Sequence, residues 1–265
     1  MSAATPALPS SLLSSERLAD FRRDGYLILR GLVPAASCER MLAVTADHLQ
    51  RAVAPLEYEA EVGYPGAPAS LTSEGGRTVR RLRGAYDRDP AFRDWASDPA
   101  LVAILTQLFE EPVSLPLAHH NCVMTKHPDF GTATGWHRDI RYWSFERPDL
   151  ISVWLALGAE RTENGGLSVI PGSHLLKLQA EQMDDLDFLR PEVAANQALF
   201  ALGVPLLLEA GDVVLFHSGL FHAAGRNSSD RVKSSVVFAY HGESNAPRPG
   251  TRSAALPNIS LPTFP

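Results

Sequence analysis

Apolar positions recur at helical spacing in the first third of the chain and at strand spacing in the rest. Ser15 reads as an N-cap ahead of a short helix that carries Leu18 and Phe21 and stops at Gly25. Tyr26–Arg30 (YLILR) follows as a strand. Over Ala35–Arg51, the positions Met41, Leu42, Val44 and Leu49 define the apolar side of a long amphipathic helix. A further helix is predicted over Pro99–Phe109, where Asp98 suits the cap, Pro99 suits the first turn, and Leu101, Val102, Leu105 and Leu108 share one face. Residues 55–78 between these helices hold several Gly, Pro and Ser residues without a clear period, which predicts either a lid or a surface insertion.

From Val113 onward the period changes to that of strands. Short β-branched and apolar runs (Asn121–Thr125, Leu150–Leu157, Gly166–Ile170, Leu206–Leu208, Val213–Phe216 and Val236–Tyr240) are separated by turn residues. One short helix is expected near Gln179–Phe188, a loose arm over 1–14, and an irregular tail from Ser244 that contains five prolines. The expected class is therefore mainly β with flanking helices, the helices packed around a strand sandwich or barrel. Residues 15–112 would form the helical flank and 113–243 the strand-rich core of one domain spanning 1–265.

Composition narrows the functional classes. At 265 residues, with 45% hydrophobic and 20% charged residues, the chain has the balance of a soluble globular protein. A net charge of −6 argues against nucleic acid or an anionic membrane as partner, although Arg77, Arg80, Arg81 and Arg83 form a local basic patch. Two distant cysteines, Cys38 and Cys122, build neither a disulfide framework nor a cysteine zinc cluster. There is no leader-like segment and no apolar run long enough to span a bilayer. The expectation is a cytoplasmic protein with a small-molecule substrate and no evident protein partner.

The chemistry is carried by three segments. Gly135-Trp136-His137-Arg138-Asp139 places an imidazole and a carboxylate at i and i+2, which point to the same side of an extended chain. Such a pair supplies two of the three ligands of a facial triad that leaves the opposite side of a metal open. About eighty residues later a turn and a buried strand lead to two histidines, His217 and His222, either of which could complete the set. Arg231 and Lys233 lie at i and i+2 beyond them, so a cation can face inward and neutralise a dicarboxylic co-substrate. Glycine-rich nucleotide loops and the G-x-S-x-G elbow are absent.

These segments, HRDIRYWSFERPDLISVWLAL, NGGLSVIPGSH and GDVVLFHSGLFHAAGRNSSDR, occur in an order and spacing that resembles the phytanoyl-CoA dioxygenase family of iron(II)/2-oxoglutarate oxygenases, over about residues 16–243. The resemblance implies a double-stranded β-helix, or jelly roll, with Fe(II) held by His137, Asp139 and His222. His222 is preferred because the family ligand stands five residues before an Asn, here Asn227. The family arginine that holds the remote carboxylate of 2-oxoglutarate falls on Lys233, with Arg231 as second candidate, and a small hydroxyl residue is replaced by Ala224. Trp154 and Arg81 are the further co-substrate positions that the resemblance implies, and Cys122 falls on a lining strand. With O2, such a site hydroxylates an unactivated C–H bond of a secondary metabolite, an amino-acid derivative or an acyl thioester, releasing succinate and CO2. Asp139 speaks against a halogenase, whose corresponding residue is small. The alternatives are a metal-binding jelly roll that has lost 2-oxoglutarate turnover and a metal-dependent enzyme that does not use it.

Overall fold

Two antiparallel sheets face each other, and the chain crosses between them repeatedly from residue 121 onward. In this computed structural model, which describes residues 13–262, the first part of the chain forms α1 (Ser15–Asp24), β1 (Tyr26–Leu29), α2 (Ala35–Gln50), β2 (Leu56–Tyr58), β3 (Val79–Arg83), α3 (Ala85–Arg88), α4 (Pro90–Ala96) and α5 (Pro99–Phe109). There follow β4 (Val113–Pro116), β5 (Asn121–Lys126), β6 (Thr134–His137), β7 (Leu150–Ala156) and β8 (Leu167–Val169). The chain ends with α6 (Ala194–Phe200), β9 (Val204–Pro205), β10 (Val213–His217), β11 (His222–Ala224), β12 (Lys233–Gly242) and β13 (Asn258–Ser260).

The larger sheet runs β1-β10-β7-β12-β5-β3-β2, with β4 joining β12 and β13 joining β4. The smaller sheet runs β6-β11-β8-β9. Strands β5 to β12 thus alternate between the two sheets, with β8 and β9 the consecutive pair in the smaller one, which is the jelly roll. Each central strand of the larger sheet is buried on both faces. On β7, Val153 and Leu155 pack outward with Met41, Phe92, Leu101 and Leu105 of the helical layer, while Trp154 and Ala156 pack inward with Val214, Phe216 and Val237. That double burial is why the sequence reads as a continuous apolar run rather than as an alternation.

Local chemistry explains the helix ends. Asp98 accepts hydrogen bonds from the amides of Ala100 (2.9 Å) and Leu101 (3.1 Å), with Pro99 opening the helix as expected. α1 is capped by Ser14, one residue earlier than predicted, and closed by Gly25 at φ +79°. The segment expected to be helical at 179–188 is instead a 3-10 turn at Ala180–Gln182 followed by a tight loop. The Asp184 carboxylate accepts from the amides of Leu186 and Phe188 (both 2.9 Å), and so replaces the bonds a helix would use. A helix does form at Ala194–Phe200, which the apolar pattern did not indicate.

Three further departures concern strands. Arg80, Arg81 and Arg83 of the basic patch lie on β3, which pairs with β5 and extends the larger sheet beyond the expected core. The segment 55–78 contains β2 and a 3-10 turn at Glu59–Glu61, so it is partly ordered against β3. The terminal segment contributes β13, paired through Ile259 and Leu115. Most of the arm expected at 1–14 lies outside the described residues. Among those described, no helix is long and apolar enough to cross a membrane.

Gly211 shows how one turn supports the interior. It adopts φ +89°, and a Cβ there would lie 2.3 Å from the Val33 carbonyl oxygen. The turn presents Asp212, whose carboxylate receives the Gly31 amide at 2.8 Å and Arg30 Nη1 at 2.6 Å. Gly211→Ala is expected to destabilise the protein by about 1–3 kcal/mol in chemical denaturation, because it combines backbone strain with a clash against main chain. An unchanged midpoint would contradict this account of the turn.

Candidate metal centre

The small sheet brings together two residues that are far apart in sequence. His137 ends β6 and His222 begins β11, and the two are direct cross-strand partners. Their ring centroids lie 4.2 Å apart. Arg138 is extended (φ −116°, ψ 139°), so Asp139, at the start of a 3-10 turn, falls on the same side as His137. Ligand atoms of His137, Asp139 and His222 all lie within 4.8 Å of one another, and all three residues are buried.

Hydrogen bonds decide which atoms are free. His137 Nδ1 lies 2.9 Å from the Gly135 carbonyl and His222 Nδ1 lies 3.1 Å from the Leu220 carbonyl. A carbonyl only accepts, so each Nδ1 carries its proton and each Nε2 is left with a lone pair. The two Nε2 atoms face Asp139 Oδ1 at 4.0 and 3.6 Å. The other carboxylate oxygen, Oδ2, accepts from Ser152 Oγ at 2.7 Å, and Ser152 stands on β7 of the opposite sheet.

The electrostatics favour the ligating forms. Burial pushes His137 well below the ordinary imidazole range, and His222 and Arg141 add to the effect. Burial lowers His222 as well, against the attraction of Asp139. For Asp139, burial opposes ionisation, but the neighbouring imidazoles of His120, His222 and His137 hold it far below the usual carboxylate range. Neutral imidazoles and an ionised carboxylate are the donor set of a divalent cation. Two nitrogens and one oxygen converging from one side, with open space opposite, fit iron(II) in a facial arrangement.

The open space is a cavity of about 680 Å³. The triad lies in its wall, together with Trp154, Cys122 and Ala224. Segment 55–78 contributes Tyr64, which packs edge-on against Phe188 at 5.0 Å and beneath Arg80, also at 5.0 Å. Part of the segment thus forms one wall of the cavity. Arg80 Nη1 pairs with Glu59 (3.0 Å) and Nη2 donates to Thr134 (2.7 Å).

The remaining sequence candidates divide by location. Arg81 lines the cavity, but its Nη1 is held by Glu57 at 2.6 Å and its Nε by the Met124 sulfur at 3.1 Å. Arg83 shares the same Glu57 carboxylate at 2.5 Å. Lys233 faces the interior above the Trp154 ring, with Nζ 4.9 Å from its centroid. Arg231 does not share that face, because β12 begins only at Lys233; its side chain is 90% exposed beside Asp230. His217 ends β10, accepts the Gly219 amide at Nδ1 (2.9 Å), and faces His174 rather than the triad. Burial pushes it down to about 4.

Two residues near the site were not assigned from the sequence to the metal or the co-substrate. His120 Nε2 lies 2.9 Å from Asp139 Oδ1, and despite burial the carboxylate raises this imidazole to about 9. It lies in the turn one residue ahead of β5, where strand parity does not report its direction. Glu160 is fully buried against Lys233 and had no local signal, since its partners lie six and more than seventy residues away.

Comparison with known proteins bears on this geometry. The profile of the phytanoyl-CoA dioxygenase (PhyH) family matches residues 21–235. The chain is 25% identical over 242 residues to a probable phytanoyl-CoA dioxygenase of Caenorhabditis elegans, covering 87% of this chain and 76% of that protein. It is 28% identical over 200 residues to an L-proline trans-4-hydroxylase of Streptomyces griseoviridis, covering 68% and 74%. The crystal structure of EctD from S. alaskensis with 2-oxoglutarate and 5-hydroxyectoine matches with a TM-score of 0.73 at 21% identity, covering 99% of this chain and 88% of that one. This last likeness is one of fold.

Ser152 ties Asp139 to the larger sheet, so its hydroxyl should matter for metal binding without touching the metal. Ser152→Ala is expected to weaken iron(II) or cobalt(II) affinity by about tenfold, as found for outer partners of metal ligands. An anaerobic metal titration of the two proteins checks this, and equal affinities would show that Asp139 is held without Ser152.

Proposed function

The chain belongs to the phytanoyl-CoA dioxygenase family, and from that premise we propose that it is an iron(II)- and 2-oxoglutarate-dependent hydroxylase of an unactivated C–H bond in a small organic molecule. The observation that carries this reading is the convergence of His137, Asp139 and His222 within 4.8 Å in the wall of one cavity. Iron(II) with a bound 2-oxo acid supplies the activation of O2, coupled to loss of CO2 and formation of succinate.

The chain's own residues do the rest. The Gly135 and Leu220 carbonyls fix both imidazole rings with Nε2 inward. Ser152 and His120 hold the two Asp139 oxygens, so the carboxylate cannot rotate away from the imidazoles. Trp143, Trp154 and Phe216 keep part of the cavity wall apolar, which limits water beside the triad. Lys233 is the cation for the remote carboxylate of the co-substrate, with Trp154 beneath it, and Arg81 approaches from the basic strand. A cavity of about 680 Å³ suits a secondary metabolite, an amino-acid derivative or the acyl end of a thioester. Glu57 and Glu59 neutralise the cluster of arginines at one side, so recognition there rests on pairs rather than on a field of positive charge.

The test requires no knowledge of the natural substrate. Iron(II)-loaded protein is expected to convert 2-oxoglutarate slowly to succinate in air. His222→Ala should lower that rate by about a hundredfold or more, as loss of a direct metal ligand removes the open site itself. His217→Ala should retain most of it. If His217→Ala abolished succinate release while His222→Ala spared it, the assignment of the triad would be wrong.

A further inference from the structure

Lys233 does not stand with a free charge. Its Nζ lies 3.1 Å from Glu160 Oε2 and 3.2 Å from Ser235 Oγ. The other oxygen of that carboxylate, Oε1, accepts from Ser235 Oγ at 2.6 Å and from Trp154 Nε1 at 2.9 Å. One carboxylate of the chain has therefore taken an ammonium, a hydroxyl and the N–H of an indole, Trp154, whose ring lies 4.9 Å from that ammonium. Trp154 lines the cavity, and both charged partners are almost fully buried.

Glu160 is also rigidly placed. Its amide donates to the Leu208 carbonyl at 2.9 Å, its carbonyl receives the Leu208 amide at 3.1 Å, and Arg161 Nη1 donates to the same carbonyl at 3.0 Å. These bonds fix its main chain, and its carboxylate is held by Lys233, Ser235 and Trp154. The neighbouring Lys126, which pairs with Lys233 in register, donates to the Thr132 carbonyl at 2.7 Å and does not take over Glu160.

A second carboxylate brought to Lys233 would meet Glu160 in a buried region. Two carboxylates sharing one cation in such a place repel each other, and neither can be compensated by solvent. Resting on the functional reading above, we propose that Glu160 is an internal competitor for the remote carboxylate of 2-oxoglutarate at Lys233. The enzyme gains little from that carboxylate, and it discriminates only weakly between 2-oxoglutarate and a 2-oxo acid of equal length that lacks it. Glu160 is thus a specificity-determining residue of the co-substrate site.

The experiment is an anaerobic titration of the iron(II)-loaded full chain with 2-oxoglutarate and with 2-oxopentanoate, followed by the visible metal-to-ligand charge-transfer band. In the unaltered protein the two acids are expected to bind within about tenfold of each other. In Glu160→Gln, which keeps the size and an acceptor oxygen for Trp154 and Ser235, 2-oxoglutarate should bind about tenfold more tightly while 2-oxopentanoate changes by less than about threefold. A preference for 2-oxoglutarate of about a hundredfold or more in the unaltered protein would overturn the proposal without any variant. So would a Glu160→Gln protein that binds 2-oxoglutarate equally or more weakly, since Glu160 would then be supporting Lys233 rather than competing for it. If neither acid produced a band on the iron-loaded protein, the functional reading itself would fail.

Discussion

Asp139 is a carboxylate held in its charged form where water contributes almost nothing to its solvation, and the interior is arranged around that cost. A buried anion persists only when other groups replace the lost hydration. Here the replacement comes from every side. His137 and His222 approach from the small sheet, Ser152 from the larger sheet, and His120 from the connection ahead of β5. Because these groups lie on different strands, the site exists only when both sheets are formed and correctly opposed. The helical layer contributes indirectly: by packing Met41, Phe92, Leu101 and Leu105 on the outer face of the larger sheet, it holds β7 and therefore Ser152 in place.

The same rule governs the cations of the interior. Arg80 is paired with Glu59, Arg81 with Glu57, and Lys233 with Glu160. Each of these three positive groups is compensated before any ligand arrives. Lys126 is the contrasting case, a buried amine whose partner is a neutral carbonyl, and burial lowers it to about 7. A ligand entering this interior meets defined pairs, and it binds by rearranging or bordering them. That makes the carboxylate partners as informative about selectivity as the cations themselves.

How much of this could be read from the sequence follows from the range of each interaction. The helix at Pro99–Phe109 was legible to the residue because its cap, its proline and its apolar face all lie within a dozen positions. His137 and Asp139 were legible as a candidate pair because two donor side chains two residues apart on extended chain need no tertiary information. His222 was separable from His217 only through the family pattern; the structural difference is that one begins a strand opposite His137 and the other ends a strand facing His174. Glu160 and His120 act through partners brought close by the sheets, and such contacts leave no local period. Arg231 failed as an inward candidate because parity applies within a strand, and β12 starts two residues later. At 184–188 a side-chain carboxylate outcompeted the helix, a choice that apolar spacing does not report.

The central claim is that a single iron(II) is held by one residue pair from the H-x-D segment and by the histidine at 222. Anomalous diffraction at the iron edge, on crystals of the iron-loaded protein grown without oxygen, tests it most directly. The account predicts one strong peak bonded to His137 Nε2, Asp139 Oδ1 and His222 Nε2, with the opposite side facing the cavity. A peak bonded to His217 and His174, or a triad that stays metal-free while iron binds elsewhere, would contradict it.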